Sequence, residues 1–149
     1  MLSIRVIPIL LFKGEGLCKG VRFADHKYVG DAINAVRIFN ARQVDEVILV
    51  DIGATEVSRC IATDLVARIS NECLMPLTVG GGLRSVDEVK TILNAGAEKV
   101  TLNTHAITNP SLVREVADQF GSQSVVIAID AKRRNYGFCE VFTNGGTKG

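Results

Sequence analysis

Short runs rich in Val, Ile and Leu recur along this chain, and longer stretches with apolar residues at helical spacing separate them. Short apolar runs of this composition suit strands and 3.6-residue apolar spacing suits helices, so their alternation points to βαβ units around a parallel sheet. Strands are expected near Arg5 to Leu10, Val47 to Asp51, Leu77 to Gly80, Lys99 to Leu102 and Val125 to Asp130. Helices are expected near Asp31 to Arg42, Glu56 to Asn71, Ser85 to Ala95 and Asn109 to Phe120. Capping chemistry supports the boundaries. Ser85 precedes Glu88 by three residues as in a capping box, Gly96 follows the third helix where a left-handed residue is wanted, and Asn109 precedes Pro110.

Asp45-Glu46 and Glu98-Lys99 each place charge at the entrance of an apolar strand, a weak internal echo that suits a β/α barrel of repeated units. A dinucleotide-binding sheet needs G-x-G-x-x-G after the first strand, and the segment from Lys13 to Gly20 lacks the final spacing. The expected fold class is therefore α/β, of the (β/α)8 TIM barrel family. A complete barrel has eight strands and typically ~250 residues. The 149 residues here supply about five strands and four helices before a Gly-rich tail, so residues 1–149 are expected to form the N-terminal portion of one barrel domain. A half-barrel leaves an unpaired edge strand and bare apolar surface, which predicts self-association.

Composition narrows the partners. Seventeen Lys and Arg nearly balance sixteen Asp and Glu, for a net charge of +1, which excludes the basic excess of a nucleic-acid binder. The apolar opening from Ile4 to Phe12 is interrupted by Arg5 and Pro8 and has no signal-peptide cleavage pattern, and no other run has the length to span a bilayer. Cys18, Cys60, Cys73 and Cys139 lie far apart, with no zinc or redox spacing, so no metal site is expected and the thiols suit a cytoplasmic protein. His26 and His105 have no partners at ligand spacing and are expected in loops or on the surface.

In β/α barrels chemistry sits at the C-terminal strand ends. Here those ends read Leu11, Asp51, Gly80-Gly81-Gly82, Asn103-Thr104 and Asp130. The glycines ahead of a helix, with Asn103 and Thr104 beside them, would form an anion pocket, or else a tight turn without a ligand. Asp130 ends a dry Val-Val-Ile-Ala-Ile run, a place suited to general acid or base work, although a carboxylate there also serves as a cap or a partner for Lys132. Asp51 is either a turn cap or a ligand for a substrate hydroxyl. Lys19, in a Gly-flanked loop after the first strand, is either a mobile lid's cation or a solvated lysine. Arg5, Glu46 and Lys99 stand at three strand entrances, as structural ion pairs or as a ring about an axial opening.

Several segments carry a family resemblance: Arg5-Val6-Ile7-Pro8, Val79-Gly80-Gly81-Gly82, Leu102-Asn103-Thr104, Asn109-Pro110-Ser111-Leu112, and Phe120-Gly121-Ser122-Gln123 running into Ala128-Ile129-Asp130-Ala131-Lys132. The chain resembles the cyclase (synthase) subunit of imidazole glycerol phosphate synthase over its whole length. The resemblance implies a cytoplasmic enzyme of histidine biosynthesis that needs no cofactor and takes ammonia from a glutaminase subunit. It would cleave a phosphoribulosyl-formimino aminoimidazole carboxamide ribonucleotide and close an imidazole ring. It implies Asp130 as catalytic, Gly81, Gly82, Asn103 and Thr104 as a phosphate site, Lys19 and Asp51 on the substrate side, and Arg5, Glu46 and Lys99 as members of an ammonia gate. In that family a second catalytic aspartate leaves the first strand, and this chain has Leu11 there. A branch of the family similar to this chain in Leu10-Leu11-Phe12-Lys13 works with a glutaminase and a third protein to amidinate a sugar for a bacterial surface polysaccharide. A non-catalytic half-barrel that associates with itself, and an isomerase of the same barrel type, are the other readings.

Overall fold

The computed structural model describes residues 4–134 and 137–148, so the last glycine of the tail, Gly149, lies outside the described residues. Strands β1 (Ile9–Lys13), β4 (Val47–Asp51), β5 (Leu77–Gly80), β6 (Lys99–Leu102) and β7 (Val125–Ile127) pair in parallel, each beside the one before it. Helices α1 (Ala32–Ala41), α2 (Thr63–Glu72), α3 (Val86–Asn94), the short α4 (Thr104–Thr108) and α5 (Pro110–Phe120) connect them. This order winds in one direction, without the reversal that marks a doubly wound nucleotide-binding sheet. It is the N-terminal portion of a β/α barrel, as the alternating sequence predicts.

Strand alternation sorts the side chains onto two faces. Val47, Leu49, Leu77, Val79, Val100 and Leu102 join Val36, Val66, Ile69, Val89, Ile92 and Val116 of the helices in one buried core. The opposite face carries two register rows across the sheet. One is Ile9, Ile48, Thr78 and Lys99, and the next is Leu11, Val50, Gly80, Thr101 and Val126.

The elements depart from expectation in five places, the first being the short α4, an additional helix beyond the four expected. Residues 5–8 fall outside β1, because this stretch meets its neighbour mainly through carbonyls: Asp45 N–H donates to Val6 and Ile48 N–H to Pro8, and Pro8 has no N–H to return. The expected loop bearing Lys19 is instead an antiparallel hairpin of β2 (Gly16–Val21) and β3 (Ala24–Gly30), which extends the sheet to the order β3-β2-β1-β4-β5-β6-β7. Its tip is Arg22-Phe23, both at positive φ, a two-residue turn made without the usual Asn-Gly signal. Helix α2 starts seven residues later than the periodicity suggests. The segment before it is hooked back, with Arg59 N–H bonded to Ala54 and Ile61 N–H to Gly81. Finally, the fifth parallel strand stops at Ile127, and Asp130 opens a separate hairpin of β8 (Asp130–Arg133) and β9 (Cys139–Phe142).

Candidate functional site

Two polar clusters occupy opposite ends of the parallel strands. At the entrance end, Glu46 precedes β4 and is only 3% exposed. Its carboxylate accepts from Arg5 Nη2 at 2.5 Å, Lys99 Nζ at 2.8 Å and Thr78 Oγ1 at 2.6 Å. Burial by itself would raise this carboxyl, but the donors Lys99, Thr78 and Arg5 together outweigh it and hold the group below its ordinary value. The structure thus joins all three expected entrance charges. It adds Thr78, which sequence reading missed although its place in β5, paired to Lys99, signals it.

At the exit end, Asn103 Nδ2 donates to Asp130 Oδ2 at 3.1 Å. The other amide atom, Asn103 Oδ1, is buried with no hydrogen-bond partner among the described residues. Asp130 is half-buried here by its place at the start of the β8 hairpin. Leu11 is half-buried two residues before β1 ends, in the row of Val50 and Thr101. The true exit of β1 is Lys13, which stands 3.5 Å from Glu56. Lys19 is exposed on β2 opposite Lys27.

The three glycines have a packing reason each. A Cβ on Gly80 would stand 2.3 Å from Thr101 Cγ2, on Gly81 2.7 Å from the Asp51 carbonyl oxygen, and on Gly82 1.9 Å from that of Arg59. Gly82 is also at φ +67°. Close chain packing alone therefore requires small residues at this turn. Gly82 and Thr104 nevertheless share a cavity of about 300 Å³, whose wall includes Arg59, Arg84, His105 and Asn144. Gly81 and Asn103 are not on that wall; Gly81 packs on Asp51 and Asn103 turns to Asp130.

Asp51 is buried, and its strand parity matches the core residues Val47 and Leu49. Oδ1 accepts from Gly53 N–H at 3.0 Å, and Oδ2 lies 2.7 Å from Arg59 Nη1 as an ion pair without hydrogen-bond alignment. Arg84 Nη1 donates to the Ser58 carbonyl at 2.9 Å, and Nη2 to Glu88 at 2.9 Å. Burial first, and then the charge of Arg84, lower the His105 imidazole below its ordinary value. Neither arginine stands out in the sequence; the only signal is the i, i+4 spacing of Arg84 and Glu88. No described helix is long and apolar enough to cross a membrane.

The sequence model for "Histidine biosynthesis protein" matches residues 5–149. Over 148 residues the chain is 47% identical to the Pseudomonas aeruginosa protein named "Putative imidazole glycerol phosphate synthase subunit hisF2", covering 99% of this chain and 59% of that one. Over 149 residues it is 44% identical to "Putative imidazole glycerol phosphate synthase subunit hisF3" of Vibrio vulnificus, covering 99% of this chain and 57% of that one. The chain thus spans less than two thirds of the length of either relative.

Proposed function

Since the chain belongs to the histidine biosynthesis protein family, we propose that it is the ammonia-using cyclase subunit of an imidazole glycerol phosphate synthase type of enzyme, served by a glutaminase partner. The observation that carries this reading is the pairing of a buried carboxylate, Glu46, bonded to Arg5, Lys99 and Thr78 at the strand entrances, with a second carboxylate, Asp130, held by Asn103 just beyond the exits. Arg5, Glu46 and Lys99 gate ammonia at the entrance end. Between the two ends the sheet face is Ile9, Leu11, Ile48 and Val50 with the hydroxyls of Thr78 and Thr101, a path neutral enough for uncharged ammonia. Asp130, oriented by Asn103, accepts the proton that the nitrogen loses as it attacks a phosphorylated acceptor. Gly82 and Thr104 contribute to holding the acceptor's phosphate.

Leu11 favours a second reading of the acceptor. A leucine can neither donate nor accept a proton, and losing one member of an acid/base pair forfeits roughly 10²-fold in rate or more. Ammonia delivery is then kept while ring closure is dropped, and the nitrogen goes to a sugar destined for a surface polysaccharide. Glutamine carrying ¹⁵N in its amide, supplied with the glutaminase partner, tests both readings. Label recovered in imidazole glycerol phosphate supports the first, label in an amidinated sugar the second, and label found only as free ammonium with either acceptor refutes both.

A further inference from the structure

We propose that Arg59 is the principal cation of a phosphate-binding cavity at the strand exits, and that Asp51 acts as its positioning residue and does not itself touch substrate. The inference rests on the phosphorylated-acceptor reading and assigns the charge of that site. The cavity of about 300 Å³ is walled by Arg59, Arg84, Thr104, His105 and Asn144 around Gly82. Its size admits a phosphomonoester head, and its wall is made of donors with no carboxylate among them.

Arg59 has the capacity to serve it. A guanidinium carries five N–H donors. Nη1 is engaged, with Asp51 Oδ2 at 2.7 Å and the Cys60 carbonyl at 3.3 Å, while Nε and Nη2 bond nothing among the described residues. Asp51 is locked in turn by the Gly53 amide, and its side chain is 1% exposed, so it is a fixed peg. The main chain of Arg59 is equally fixed, since its carbonyl oxygen packs against Gly82 and its N–H bonds Ala54. Arg84 closes the side of the cavity by tying the Ser58 carbonyl to Glu88 at the start of α3. Both of its terminal nitrogens are thereby engaged, whereas Arg59 has only Nη1 engaged among the described residues, so Arg59 keeps more free donors for an anion.

The arrangement makes an unusual demand on Asp51. If it merely added negative charge near an anion site, Asp51→Asn would strengthen phosphate binding. If it holds Arg59 in place, Asp51→Asn weakens it although the net charge rises.

The test is titration of the chain and its variants with inorganic phosphate, ribose 5-phosphate and ribose, followed by calorimetry, with circular dichroism as the check on folding. Phosphate and ribose 5-phosphate are expected to bind and ribose not. Arg59→Met should weaken both about tenfold or more, the scale of a hydrogen bond to a charged group. Arg59→Lys, which retains the charge and the packing, should lose less, and added guanidinium should restore binding to Arg59→Ala. Asp51→Asn should weaken binding by a factor between these. Phosphate binding that survives Arg59→Met overturns the inference and leaves the proposed function standing, and tighter binding by Asp51→Asn overturns the positioning role. Failure of the unaltered chain to bind either phosphate overturns the inference together with the phosphate site on which it rests.

Discussion

Replacing Glu46 with Gln keeps the size of a side chain that is almost wholly buried and deletes its charge. The amide oxygen still accepts from Thr78, so the loss falls on the two cations. Lys99 Nζ stands 2.8 Å from the carboxylate, and its side chain is 22% exposed. At that separation, with an effective dielectric constant of 20, the gross attraction is about 6 kcal/mol. Desolvation offsets much of it, and a hydrogen bond between charged groups nets about 1.5–3 kcal/mol. Arg5 is 54% exposed, so solvent limits its share to about 1 kcal/mol at most. The expected destabilisation is therefore about 2–4 kcal/mol, read from urea unfolding by circular dichroism at pH 7. Arg5→Gln should cost under about 1 kcal/mol. The pH dependence has a fixed sign. The native carboxyl lies below its ordinary value of 4.5, so its contribution is complete above that value and is lost as the pH falls through the lower native one. The gap between wild type and Glu46→Gln should hold steady from neutrality down to about pH 5 and close on further acidification. A gap below about 0.5 kcal/mol at pH 7, or one that widens in acid, would refute the assignment of this cluster as a net stabilising charge site.

Three other expectations follow from the same contacts. Gly82→Ala puts a Cβ against the Arg59 carbonyl at a positive φ and should destabilise by about 2 kcal/mol or more in thermal unfolding; an unchanged transition would mean that the turn relaxes freely. Burial pushes the Cys60 thiol up to about 11, so at pH 8 a thiol reagent should modify exposed Cys139 well before Cys60, as peptide mass spectrometry would read. Ile7, Ile9, Ile127 and Ile129 are exposed, and β7 is an edge strand, so the chain should self-associate in size-exclusion chromatography; a clean, folded monomer would count against this.

The parallel frame was legible because period and burial agree there. β4, β5 and β6 run over the residues that the apolar runs mark, and Ser85 caps α3 by accepting from the Glu88 amide at 3.2 Å. Even this capping box is half made, since the Glu88 carboxylate turns to the Arg84 backbone and guanidinium. The β2–β3 hairpin was hidden because a turn of Arg22 and Phe23 has no glycine or asparagine to announce it. Asp130 reads as the end of an apolar run, but the ladder carries only to the Ala128 amide before the chain leaves for a second hairpin. The entrance cluster was visible as three charges at equivalent strand positions. Arg59 was not, because its significance lies in a buried partner eight positions away and in the packing of its carbonyl oxygen on Gly82, which no local pattern encodes.

The central proposal is that this chain serves an ammonia-using synthase through Asp130, and its sharpest question is the second reading, in which Leu11 turns the nitrogen to an acceptor other than the ring-closing one. The most direct measurement is growth of a histidine auxotroph lacking its cyclase subunit when it carries the gene encoding this chain. On the second reading, growth well below the normal rate is expected, because Leu11 stands where the family resemblance implies the second proton-transfer group. Growth restored at the normal rate would contradict that reading and return the chain to ordinary histidine-pathway cyclisation.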